Sequence, residues 1–160
     1  MNDVKKDASE PVNCNLEQGR RLLRWGMTLF LIGLFTGFII PLMENPRMGL
    51  SSHLEALMNS MFLILLGLIW PKLRLGARLR FVAFWMAIFG TYTNWGTTFA
   101  AGIVGAGERM MPMASAGYQG SDFQELLIMI GLVSLALAMV TTSILVLFGL
   151  RGKHPQIEFD

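Results

Sequence analysis

His53 stands at the head of a long apolar stretch, two residues before Glu55 and six before Asn59. A neutral imidazole is a common metal ligand. One histidine at membrane depth can hold a haem iron from one side and leave the opposite face free for a substrate oxygen. Glu55 and Asn59 are four apart and share a helix face; His53 and Ser60, seven apart, share a neighbouring one. A second polar group is the run Thr91, Tyr92, Thr93, Asn94, Trp95, Thr97 and Thr98. Within it Thr91, Asn94, Trp95 and Thr98 fall on one helical stripe. A carboxylate, two carboxamides and several hydroxyls can orient a small polar substrate and move a proton.

Polar groups are costly in apolar surroundings, so each marks a site or serves as hydrogen-bonding glue between helices. Asn59 and Asn94, whose carboxamides are the costlier groups at membrane depth, point to a site; Thr91, Thr93 and Thr97 serve equally well as glue. His53 also reads as a surface histidine at a helix start, with Glu55 as an interfacial partner. His154, in the charged C-terminal segment, reads as solvated surface. The sequence contains no GxSxG, HExxH, phosphate-binding glycine loop or CxxC.

The elements that must hold these groups are membrane helices. Of 160 residues, 53% are hydrophobic and 15% charged, against about a quarter charged in ordinary soluble domains. Four apolar stretches stand out, at 22–43, 54–70, 81–104 and 126–150, each near the roughly 20 residues that cross a bilayer. Lipid offers no partner to open backbone groups, so these are helices. The fold class expected is all-α: an integral membrane four-helix bundle over residues 21–152, between a mobile polar tail at 1–20 and a short tail at 153–160. The first stretch is too long for a cleaved signal segment and reads as a span that stays. Pro41 and Pro46 end the first helix at its outer exit.

Eleven of the thirteen basic residues fall at the N-terminus, between the second and third stretches, and at the C-terminus; the other two are Arg47 and Arg109. The positive-inside rule then places both termini in the cytoplasm. Trp25, Trp70 and Trp85 fall at the same inner boundary, as an aromatic belt would. Topology accounts for the basic inner loop, so no nucleic-acid partner is expected. The single cysteine, Cys14, excludes an intrachain disulfide. Gly33 and Gly37 form a GxxxG step, the mark of a tight helix contact within the chain or with a neighbouring subunit.

Depths can be compared at 1.5 Å per residue. Asn59 lies about 9 Å further in than His53, Thr98 about 9 Å below the outer face and Asn94 about 15 Å. The two stripes therefore meet in the outer half of the bundle. Gln124 and Glu125 begin the fourth stretch at that face, with Glu108, Arg109 and Tyr118 in the loop above. Trp95, far from the inner belt, suits an aromatic pocket wall.

Three segments resemble hydroxylaminobenzene mutases: Asn45-Pro-Arg-Met-Gly-Leu-Ser-Ser-His-Leu-Glu55, Gly90-Thr-Tyr-Thr-Asn-Trp95 and Met111-Pro-Met-Ala-Ser-Ala-Gly117. These small bacterial membrane enzymes rearrange aryl hydroxylamines, such as hydroxylaminobenzene, to 2-aminophenols. His53, Asn59, Pro71 and Asn94 also match, more distantly, the pattern of styrene oxide isomerase. That resemblance implies haem b with His53 as axial ligand, a ferric iron acting as Lewis acid on the substrate oxygen, and a site near a subunit interface of a trimer. It implies a bacterial inner-membrane enzyme with Asn59 in its pocket and a small aromatic substrate. Thr98 stands where the isomerase has a pocket tyrosine, which favours the mutase reading; Tyr92 lies over a turn away.

The candidate catalytic set is Asn59, Asn94, Glu55 and Thr98, with Glu55 as proton shuttle and Tyr92 and Trp95 lining the substrate. Glu55 or a loop group is expected to accept the second ring N–H of His53. An epoxide isomerase on the same iron is the alternative reading. A haem-b electron carrier or small transport subunit is the alternative of another class.

Overall fold

A computed structural model describes the backbone of residues 3–151 and the side chains of residues 15–151. Cys14 and His154 lie outside the described side chains. The chain forms helices α1 (Asp3–Ile39), α2 (Pro46–Ile69), α3 (Ala77–Val104), α4 (Pro112–Ser115) and α5 (Asp122–Leu150). The described residues contain no strand.

The punctuation is local. Pro41 turns the end of α1 into a short 3-10 segment, Ile40–Leu42. Asn45 caps α2: its side chain accepts the backbone N–H of Arg47 and of Met48, and Pro46 takes the first helical position. This cap starts α2 eight residues ahead of the apolar stretch at 54, so His53 and Glu55 sit on regular helix. Gly105, at φ 63°, closes α3, and Ser121 and Gln124 form a capping box on α5.

Helices α1 and α2 pack antiparallel along a seam of glycines. Gly19, Gly26 and Gly33 recur every seven residues, and the buried Leu22, Leu29 and Thr36 follow each by three. A seven-residue repeat keeps one seam facing its partner. A Cβ on Gly19 would come within 2.8 Å of the Gly67 carbonyl oxygen, and one on Gly26 within 2.7 Å of Ile64. The GxxxG step at Gly33 and Gly37 thus serves a contact inside the chain.

Helix α2 also packs on α3, and α3 on α5. Leu22, Leu29, Ala56, Leu63, Leu66, Ala83, Phe84 and Ala87 form the core between the first three. Trp70 belongs to that core: it is fully buried, and its indole N–H donates to Gln18 Oε1 at 3.1 Å. It therefore is not part of the aromatic belt read from the sequence, whereas Trp25 and Trp85 remain 40% and 47% exposed. Helix α5 makes no extensive contact with α1 or α2, so the bundle is open on that side.

Among the described residues, Asn15–Leu42, Pro46–Lys72 and Asp122–Leu150 are long and apolar enough to cross a membrane. This is a multi-pass membrane protein. Helix α3 is long, about 42 Å at 1.5 Å per residue, but Arg78, Arg80 and the polar stripe from Thr91 to Thr98 dilute its apolar character.

Candidate functional site

His53 lies in the first half of α2, on the face turned to α1. Its Nδ1 is 2.7 Å from the carbonyl oxygen of Gly33. A carbonyl only accepts, so Nδ1 carries the hydrogen and Nε2 of the neutral ring keeps its lone pair. The ring rests against Gly37, where a Cβ would stand 3.0 Å from Nδ1 and 3.1 Å from Cε1. The partner of the second ring N–H is therefore a backbone carbonyl of α1. Glu55, expected in that role, is turned the other way.

Glu55 faces α3. Its Oε2 lies 2.8 Å from the Thr98 hydroxyl, which is buried and also 2.9 Å from the Asn94 carbonyl oxygen. Thr98 has one proton for these acceptors. Asn59 follows Glu55 by one turn of α2, and Asn94 precedes Thr98 by one turn of α3. The helices run antiparallel, so the two carboxamides sit one rung below the Glu55–Thr98 pair. The Nδ2 of Asn59 is buried and has no hydrogen-bond partner. An unpaired buried amide nitrogen costs about 1–3 kcal/mol, and a ligand oxygen would satisfy it. Within the chain, Glu55 and Thr98 meet between α2 and α3, and i, i+4 spacing puts Asn59 and Asn94 on the same helix faces one turn further in. His53 is on the neighbouring side of α2, beyond the buried Ala56.

Trp95 donates its indole N–H to Thr36 Oγ1 at 3.1 Å and packs on Phe99 with ring centroids 5.3 Å apart. With Phe35 and Phe38 they line an open aromatic groove of about 300 Å³ between α1 and α3. Thr36 lies between Gly33 and Gly37, so this groove adjoins the seat of His53. Tyr92 is elsewhere: its hydroxyl donates to the Trp25 carbonyl at 2.9 Å, and the two rings meet edge to face. Trp25 is eight residues before Gly33, about 12 Å along α1. The Thr91 hydroxyl returns to its own helix, at 2.8 Å from the Ala87 carbonyl, and so does not bond to a neighbouring helix.

The loop above the cluster is tied down by buried polar groups. Glu125 accepts from the backbone N–H groups of Gly107, Glu108, Arg109 and Gly120 at 2.8–3.3 Å. Asn45 Nδ2 donates to the Ser115 carbonyl at 2.8 Å, and Ser115 bonds Glu108. Arg109 pairs with Asp122 at the surface. Thr36, Asn45 and the Gly33 carbonyl are the participants that residue type did not single out. Asn45 carried one readable signal, an Asn directly before a proline at a helix start.

Among the described residues no three His, Cys, Asp or Glu side chains gather as a metal site. The donor present is one imidazole, that of His53, whose Nδ1 is engaged by Gly33. That set suits an iron already held by a porphyrin, which needs one axial ligand from the protein.

A family model described as styrene oxide isomerase matches residues 18–151. Hydroxylaminobenzene mutase HabB of Ectopseudomonas oleovorans is 55% identical over 141 residues, covering 88% of this chain and 86% of that protein. Hydroxylaminobenzene mutase HabA of the same organism is 38% identical over 125 residues, covering 78% and 93%. No solved structure matches. With nearly the whole described chain matched, and both mutases matched along most of their length, the protein belongs to the family that joins these mutases to styrene oxide isomerase.

Proposed function

We propose that this chain is an arylhydroxylamine mutase, an isomerase that converts hydroxylaminobenzene and related aryl hydroxylamines to 2-aminophenols. The observation that carries the chemistry is the His53 ring, whose Nδ1–H is engaged by the Gly33 carbonyl so that the lone pair of the neutral ring is on Nε2. The setting proposed is four spans, α1, α2, α3 and α5, in a bacterial inner membrane with both termini in the cytoplasm. The cofactor proposed is haem b on His53 Nε2, whose ferric iron when bound supplies a Lewis acid for the substrate's hydroxyl oxygen.

The reaction balances without electrons: the N–O bond breaks, a C–O bond forms at the ortho carbon, and the proton lost from that carbon is matched by one gained at nitrogen. The chain's own residues supply the rest. The unpartnered Nδ2 of Asn59 offers a hydrogen bond to the substrate's polar group, and Asn94, at the same level, fixes the group from the opposite helix. Glu55 Oε2, held by Thr98, takes the ring proton and returns it to nitrogen. Trp95 and Phe99 give the aryl ring a flat wall and keep water from the electron-poor ring. His53 and Asn59 lie on different sides of α2. The assembly proposed is a homo-oligomer, a trimer by resemblance, with the site near its subunit interface.

Purified protein turning over hydroxylaminobenzene in ¹⁸O-water tests the mechanism. Unlabelled 2-aminophenol is the expected product, and substantial label would sink intramolecular transfer. The family match favours one second reading, epoxide isomerisation. Styrene oxide in the same assay separates the two, and Thr98 is the reason the epoxide is expected to be the poorer substrate. A Soret band in the purified protein tests haem.

A further inference from the structure

The Gly33–Gly37 step does more than let two helices approach. In a helix, the side chain at i+4 lies beside the carbonyl of residue i; a serine or threonine there commonly bonds back to it. At this position the i+4 residue is Gly37, and the place a side chain would fill is taken by the imidazole of His53, 2.7 Å from the Gly33 oxygen. A Cβ at Gly37 would press on Nδ1 and Cε1 at 3.0–3.1 Å, tighter than ordinary contact. The other glycines of the seam meet different neighbours: Gly26 meets Ile64 and Ser60, and Gly33 meets Ala56 and Leu57. Only Gly37 of the seam is matched to the ring.

We infer that Gly37 is a positioning residue: by leaving the Gly33 carbonyl uncovered, it makes a backbone oxygen the tautomer-setting partner of His53, so that the neutral ring carries its hydrogen on Nδ1 and leaves Nε2 as the ligand-side nitrogen. The device differs from the usual carboxylate partner of a metal-bound histidine. A carbonyl cannot take the proton, so it orients the ring and brings no charge beside the iron. The ring arrives with its rotation already restricted, between the carbonyl and the glycine surface. The tautomer is a property of the polypeptide alone. The use made of Nε2 rests on the proposed haem ligation.

Two readouts keep these apart. The first is the ring-nitrogen NMR spectrum of ¹⁵N-histidine-labelled full-length chain in lipid nanodiscs, in a His154→Ala background and without a paramagnetic ligand. His53 is expected as a single Nδ1–H tautomer. Gly37→Ser brings its own hydroxyl to the Gly33 carbonyl in competition with the ring, and Gly37→Ala displaces the ring sterically. Both should give a mixed or Nε2–H spectrum. Gly26→Ala loosens the same seam about 10 Å from Gly33 and should keep the native tautomer.

The second readout is haem affinity of the same four proteins, where loss of an outer partner costs about 10–100-fold. The Gly37 variants should fall in that range and Gly26→Ala should not. A wild-type His53 that is Nε2-protonated, or a Gly37→Ser spectrum identical to wild type, overturns the inference. Equal tautomer loss in Gly26→Ala also overturns it, because helix spacing would then be the cause. A native tautomer in a protein that takes up no haem leaves the positioning intact and defeats the haem reading.

Discussion

His53→Ala removes the one nitrogen on which the proposed chemistry turns. The expected result is a haem-to-protein ratio near zero and activity near background. The helices should stay inserted, since they rest on their apolar spans. Free imidazole should restore part of the Soret band by filling the vacated position, and His154→Ala should behave as wild type. A normal haem ratio in the His53 variant would refute the assignment. For Asn94→Leu, a site role predicts a loss of turnover of at least tenfold at unchanged thermal stability. Parallel losses would return Asn94 to interhelical glue. Residue type alone was enough to single out His53, Glu55, Asn59, Trp95 and Thr98, because each is conspicuous in an apolar chain. It could not reveal which way each turns. The partner of His53 is a main-chain carbonyl, which every residue possesses and no letter advertises. Trp70 reads as a boundary tryptophan, yet a hydrogen bond to Gln18 lets it enter the core.

At the scale of elements, the sequence's four apolar stretches fall on the long helices α1, α2, α3 and α5, of which α1, α2 and α5 are long and apolar enough to cross a membrane, and the prolines and Asn45 mark turns between them. Less visible was the work of the loop between α3 and α5. Glu125 opens α5 as an ordinary acidic residue of a first turn, but it is buried and gathers four backbone N–H groups from two parts of that loop. Only the folded loop brings those donors together. Glu125→Gln keeps the shape but gives up the charge on the acceptor, and its amide N–H₂ faces donors. Hydrogen bonds to charged groups contribute about 1.5–3 kcal/mol each. The variant should therefore unfold at a lower temperature, with a loss of about 2 kcal/mol or more, while its substrate specificity at low temperature stays the same. Thermal melts in one detergent, set beside product analysis, read both. An unchanged melting temperature would show the cradle to be energetically idle.

For the whole molecule, the proposed topology makes a directional prediction. In intact spheroplasts, a membrane-impermeant maleimide should label Met113→Cys, built in a Cys14→Ser background, because Met113 is 86% exposed in the loop above the site. The native Cys14 should react only after permeabilisation. The opposite pattern would invert the orientation and place the His53 end in the cytoplasm. The charge distribution alone underlies this expectation, since basic residues cluster at one end of the helices.

The one-sided attachment of α5, packed on α3 and not on α1 or α2, has a consequence for how the chain is made. Its platform is α3, the 107–120 loop segment that Glu125 holds, and the Arg74 N–H that meets the Gly149 carbonyl at 3.0 Å. All of these leave the ribosome before α5 does, and domains of a nascent chain settle from the N-terminus onward. The glycine seam of α1 and α2 can thus close in the bilayer while α5 is still being translated, and α5 docks onto a finished surface. The connection before Ser121 is for that reason the natural place to divide the gene in two, with the last helix supplied as a separate polypeptide.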